Sequence, residues 1–167
     1  MKKILFVGLF LVNLINAHCQ LKHTKGIDGV GIAGIYTWYG VGGSLNYTRY
    51  LNTKLYIGSS LELTSENIVL SKVITGQLLP EAGYTILKIG NNYFLDLKVN
   101  LMLGYEKITN PIFTRKNRFI VGESIGFKNE YFLSSKIKLD LDVCQRFWQI
   151  GRKESNLVLT LGIFYNL

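Results

Sequence analysis

The chain has 167 residues, 19 of them basic and 11 acidic, for a formal charge of +8, and it carries 10 Tyr, 9 Phe, 17 Gly and only 2 Pro. That length suits one domain, and the aromatic-rich, proline-poor composition favours strands over helices. Its two cysteines fit no metal-ligand spacing and supply no disulfide framework, so the fold must hold without staples.

The first residues, MKKILFVGLFLVNLINAHCQ, place Lys2 and Lys3 before an apolar run from Ile4 to Val12, followed by small and polar residues around Ala17 and Cys19. This is the layout of a secretory signal peptide, and the run is too short to cross a hydrocarbon core of about 30 Å as a helix. Cleavage after Ala17 or after Cys19 both fit. Acylation of Cys19 is disfavoured by the bulky, polar His18 before it. We read residues 1–19 as the signal peptide and 20–167 as a single barrel domain. Losing Lys2 and Lys3 lowers the formal charge from +8 to +6.

From Gly26 onward apolar residues recur at every second position, the signature of strands with one apolar and one polar face. The spacing predicts strands near 27–37, 41–51, 54–64, 73–89, 93–107, 118–131, 136–148 and 157–167. The clearest is 93–107, with Tyr93, Leu95, Leu97, Val99, Leu101, Leu103 and Tyr105 on one face. In 136–148 the opposite face carries Lys138, Asp140, Asp142, Cys144 and Arg146. Eight strands, an even number, with segments long enough to cross a bilayer tilted, predict an all-β fold: an antiparallel up-and-down transmembrane barrel. Asn52-Thr53, Gly90-Asn91-Asn92 and Leu133-Ser134-Ser135 read as tight turns, and 65–72, 107–117 and 149–156 as longer polar loops. Only the hairpin at Tyr39-Gly40 breaks this alternation. It implies periplasmic termini and tight turns, with the longer loops extracellular. At the C-terminus Thr160, Gly162, Tyr165 and Leu167 form a pattern resembling the signal that outer-membrane insertion machinery reads, with Leu167 where an aromatic is usual.

If the apolar faces meet lipid, Glu62, Glu81, Asp96, Lys98, Glu106, Lys128, Asp140, Asp142 and Arg146 point inward. An eight-stranded lumen is just wide enough to be filled by side chains, so these charges must pair. A salt-bridged plug is the favoured reading and a gated pathway the alternative. Glu123 and Gln145 fall on the lipid face: either they lie near the headgroups or the register slips there.

No catalytic, cofactor or metal residues are expected. His18 lies in or beside the signal peptide and His23 before the first strand, which argues against Ser-His catalysis and a His-based metal site. Asp140 and Asp142 are spaced as a charged lumen needs. The glycines of GIDGVGIAG and YGVGG are followed by no helix and no nucleotide-binding lysine. Lys107, Arg115, Lys116, Arg118, Arg152 and Lys153 put positive charge on the long-loop rim, where anionic lipopolysaccharide is a fitting partner. Direct nucleic-acid binding is not expected, since exposed aromatics do not interleave with these bases.

The stretches QLLPEAGYTIL (77–87), LMLGYEKITN (101–110), NRFIVGESIGFKNEYFLSSKIKLDLDV (117–143) with RFWQIG, and the closing LTLGIFYNL resemble the conjugal transfer protein TraO family of Bacteroides-type conjugative elements. The resemblance covers roughly 76–167, with KGIDG at 25–29 also similar, and the chain is short for that family at 107–117. It implies an outer-membrane component of a DNA-transfer apparatus, with other conjugation proteins as partners, and it carries no site residues with it. Two alternatives stand beside it: a general structural or adhesive barrel, and a soluble calycin-like barrel that binds a ligand inside.

Overall fold

The computed structural model describes residues 23–68, 70–110, 116–150 and 155–167. The signal-peptide reading lies outside them. Eight strands, β1 (Asp28–Thr37), β2 (Gly40–Tyr50), β3 (Leu55–Ile68), β4 (Ser71–Ile89), β5 (Tyr93–Thr109), β6 (Lys116–Phe132), β7 (Ile137–Ile150) and β8 (Asn156–Asn166), close into one barrel in sequence order. Every neighbouring pair is antiparallel, and β1 closes on β8 from Gly29↔Asn166 to Thr37↔Val158. Closure leaves no strand edge unpaired, which is what a sheet needs to survive in lipid.

The period-two pattern decides which residues face where. Outward positions carry Ile32, Leu45, Leu61, Leu63, Leu101 and Leu161, each more than half exposed. Exposed Tyr47, Tyr84, Tyr131 and Tyr165 ring the end that holds the termini, and Tyr36, Trp38, Tyr105 and Phe119 ring the far end. Such aromatic collars bracket the apolar band of a transmembrane barrel. The polar residues point inward.

The expected loop at 65–72 is corrected: β3 runs on to Ile68, β4 starts at Ser71, and these two residues pair directly. Polarity signalled a loop there. In a barrel with a polar lumen it equally marks strand, and Glu66 is buried inside. The loops expected at 107–117 and 149–156 also give way to strand, with β5 running on to Thr109, β6 starting at Lys116, β7 running on to Ile150 and β8 starting at Asn156. Connections at the far end are therefore 38–39, 69–70, 110–115 and 151–155, against 51–54, 90–92 and 133–136 beside the termini. Loop length no longer separates the two rims cleanly.

The turns follow local chemistry. Asn52 Oδ1 accepts from the backbone N–H of Lys54 and Leu55, both at 2.8 Å, and Ser134 Oγ does the same for Lys136 and Ile137. Gly90, at φ 61, turns the chain from β4 into β5.

The lumen is filled by pairing small against large. Tyr56 lies flat over Gly83, where an added Cβ would sit 2.2 Å from the ring, and Phe164 covers Gly31, where it would sit 2.5 Å away. A methyl at Gly83 must displace a fully buried tyrosine, which costs about 1–3 kcal/mol. Gly76 also lies on β4, but its Cβ would meet nothing within 4 Å. Gly83→Ala is expected to lower the midpoint of urea unfolding in detergent micelles and Gly76→Ala to leave it unchanged; equal midpoints would refute the packing account.

Candidate functional site

The site to be explained is the lumen, because the strand period delivers most of the chain's acids there. Near the termini, Lys128 and Glu130 on β6 face Lys138 and Asp140 on β7. Glu130 and Asp140 lie directly opposite each other in the ladder, a pairing that repulsion alone would forbid. Two ammonium groups hold them. Lys128 Nζ is 3.1 Å from Glu130 and 3.2 Å from Asp140, while Lys138 Nζ contacts Glu130 closely and Asp140 at 3.3 Å. Both lysines also lie over aromatic rings, Lys128 at 4.8 Å from Tyr56 and Lys138 at 4.8 Å from Phe164. The four side chains are almost wholly buried.

Glu130 is the centre of this cluster. Tyr50 donates its hydroxyl to Glu130 at 2.8 Å, and His23 Nε2 lies 2.6 Å from the same carboxylate oxygen. His23 precedes β1 in sequence, yet its side chain closes the mouth of the barrel: it is 2% exposed and stacked on Phe94 at 3.8 Å. Its backbone is left-handed, at φ 45, an uncommon conformation for a non-glycine residue. Its other nitrogen faces Thr85 Oγ1 at 3.2 Å.

The position of His23 before the first strand argues against Ser-His catalysis and a His-based metal site, yet the fold brings its imidazole to a carboxylate and a hydroxyl. His23, Asp96 and Glu130 offer ligand atoms within 4.8 Å of one another, and Thr85, His23 and Glu130 follow the order hydroxyl, imidazole, carboxylate. In both arrangements Glu130 is already engaged by other groups, two ammonium groups and a phenol, and Thr85 lies opposite the buried Asp96 in the β4–β5 ladder.

The rest of the lumen is a series of smaller locks. Lys98 Nζ lies 2.5 Å from Asp142 and 3.6 Å from Glu81. Arg146 Nη2 and Gln77 Nε2 both donate to Glu62 Oε2, at 2.7 and 2.6 Å. At the far mouth Arg118 and Thr75 donate to Glu106 at 2.7 and 3.3 Å. Of the residues expected inside, Lys128 and Asp140 thus share one lock, Lys98, Glu81 and Asp142 another, and Glu62 and Arg146 a third, with Asp96 buried beside His23. The sequence reading omitted Glu130 and left Lys138 out of the inward set, although both share the parity of Lys128 and Asp140. His23 gave no periodic signal because it lies outside the strands.

Thr160 and Gly162 face the lumen side of β8, and Tyr165 and Leu167 face outward. Glu123 is exposed on the outer wall, opposite Leu101 and Phe147, and Gln145 lies opposite Ile125. The inside–outside alternation holds at both residues, although the β6–β7 pairing shifts beside Glu123, between Val121 and Gly122.

No protein-family profile and no curated protein matches the chain. Among solved structures it is similar to Neisserial surface protein A (TM-score 0.66, 10% identity, 83% of this chain and 95% of that one). It is similar also to the N-terminal β-barrel domain of Pseudomonas aeruginosa OprF (0.63, 14%, 86% and 98%) and to Ail, the attachment invasion locus protein of Yersinia pestis (0.59, 15%, 86% and 100%). At these identities the shared property is the fold.

Removing one member of a buried ion pair strands the other, at about 3–5 kcal/mol. Arg146→Met is therefore expected to lower the urea midpoint strongly, and Glu62→Gln combined with Arg146→Met to recover most of the loss. Additive single and double variants would show that Glu62 and Arg146 do not interact. Glu130→Gln, which leaves Asp140 alone to hold Lys128 and Lys138, is expected to cost at least as much as Arg146→Met in the same titration.

Proposed function

We propose that the chain is a non-enzymatic outer-membrane barrel serving a conjugative DNA-transfer apparatus. The observation that carries the membrane part is the inversion of the protein's two faces: leucine, isoleucine and valine outside, ion pairs inside. A soluble ligand-binding barrel needs the reverse, an apolar cavity under a polar surface. In water this outer wall would be an apolar patch far larger than soluble monomers expose. The calycin-like alternative is therefore set aside.

The part concerning conjugation rests on the resemblance of 76–167 to the TraO family, and on that alone. In this reading the termini and the 51–54, 90–92 and 133–136 turns face the periplasm, and the β8 pattern of Thr160, Gly162, Tyr165 and Leu167 engages the insertion machinery. A lumen closed by Lys128, Glu130, Lys138 and His23 suits a barrel that anchors other apparatus proteins or stabilises mating contact, more than one that conducts. The second reading is a small adhesive barrel unrelated to DNA transfer. It is favoured by the likeness to Ail, one structure of which holds the heparin analogue sucrose octasulfate, and by exposed Lys72, Lys107 and Lys116 at the far end.

Fractionated cells are expected to hold the chain in the outer membrane, with a heat-modifiable gel mobility; a soluble, heat-insensitive chain would end the membrane reading. Deleting its gene from a donor strain is expected to lower transfer frequency. Unchanged transfer would leave the adhesive reading in its place.

A further inference from the structure

The outer wall has a shallow concavity of about 580 Å³, lined by Pro80 and Ala82 on β4, Val99 and Leu101 on β5, Ile125 on β6 and Phe147 on β7. That volume falls within the roughly 300–1,000 Å³ of ordinary ligand sites. Its cause is local: Pro80 and Ala82 are small, and the pairing of β4 with β5 skips Leu79 and Pro80, where the proline lacks an N–H.

Glu123 stands on the edge of this groove. On β6 it lies four residues inside the collar residue Phe119, so at a rise of about 3.3 Å per residue and a tilt of roughly 40° it sits roughly 10 Å below that collar. A carboxylate at this depth faces acyl chains and needs hydrogen-bond donors. The structure gives it one weak donor, Gln149 Nε2 at 3.4 Å. Farther along the same two strands, beyond the collar, Lys107 on β5 and Lys116 on β6 are exposed. Apolar groove, acceptor and cations follow one another from mid-wall to rim. A second concavity, of about 520 Å³, crosses Ile32, Gly34, Leu139, Leu161 and Ile163 and has no such polar group among its outward residues.

We propose that the β4–β7 groove is a lipid site. It takes an acyl chain of an anionic lipid whose hydroxyl or amide donors, at the level of the acyl linkages, bind Glu123 while its phosphates meet Lys107 and Lys116. Lipid A has this chemistry; a plain phospholipid offers the chain and the phosphate but no donors at that depth. The proposal rests on the reading of the chain as an outer-membrane barrel with its far end outward.

The test is native mass spectrometry of the refolded chain in detergent micelles carrying either hexa-acylated lipid A or phosphatidylglycerol at the same mole fraction. One lipid A per barrel is expected to be retained, with phosphatidylglycerol held about tenfold less, the difference one charge-assisted hydrogen bond makes. Glu123→Leu, which removes the acceptor, and Ala82→Trp, which fills the groove, are each expected to reduce lipid A retention about tenfold. Leu161→Trp, in the second concavity, is expected to leave it unchanged. Equal retention of both lipids, or retention indifferent to Glu123→Leu and Ala82→Trp, would overturn the proposal. So would a homodimer without lipid that Glu123→Leu dissolves, which would assign the groove to a second copy. Heat-modifiable mobility, read in parallel, separates the two ideas: its absence from the unsubstituted chain would sink the barrel reading, and its presence beside indifferent retention sinks only the lipid site.

Discussion

Two carboxylates facing each other across a strand ladder are an unstable arrangement, and the lumen is organised around resolving it. Glu130 and Asp140 are held by Lys128 and Lys138, each ammonium touching both acids, with ring faces closing over the lysines. The register of β6 against β7 is what places these groups together. A slip of one residue would turn one strand over against the other, sending its two charges toward lipid and its apolar residues into the lumen. The cluster is thus less a source of net stability than a penalty on every wrong register.

His23 extends this constraint to the chain before β1. Its imidazole, between Phe94 and Glu130, fills the mouth that the barrel wall alone would leave open. The far half of the lumen is closed separately, by Arg146 on Glu62 and Arg118 on Glu106. The two closures lie along one axis and use separate ion pairs, so loss of one leaves the contacts of the other in place.

The fold was legible because its signal is a single repeated rule. Each strand from β1 to β8 announces itself by alternation, and the parity that put Leu95 to Leu103 outside also put Asp96 and Lys98 inside. The same rule, followed to the strand ends, would have placed Glu130 and Lys138. It failed at 65–72, because Ser65, Glu66, Asn67 and Lys72 look like a loop when polarity is taken to mean the absence of strand; here the strands run on to the rim, with Glu66 turned into the lumen and Ser65, Asn67 and Lys72 exposed. His23 was beyond it altogether: a residue outside any strand is positioned by tertiary contacts, and its left-handed backbone leaves no periodic trace. Glu123 was read correctly as an outward acid, but the concavity beside it depends on Pro80 and Ala82 from a strand two places away in the sheet.

The segregation of acids has an electrostatic consequence for whatever approaches the protein. Of 11 acidic residues, Glu62, Glu66, Glu81, Asp96, Glu106, Glu130, Asp140 and Asp142 all lie within the barrel, and among the described residues only Asp28 and Glu123 remain outside. Among the described residues, most of the basic ones stay at the rims. The formal charge is therefore unevenly placed: the lumen holds more acids than the Lys98, Lys128, Lys138 and Arg146 that face them, and what is felt within a Debye length of a rim, about 8 Å in physiological salt, is a mostly cationic surface. Anionic surfaces and polyanions would be drawn to it before any specific contact forms.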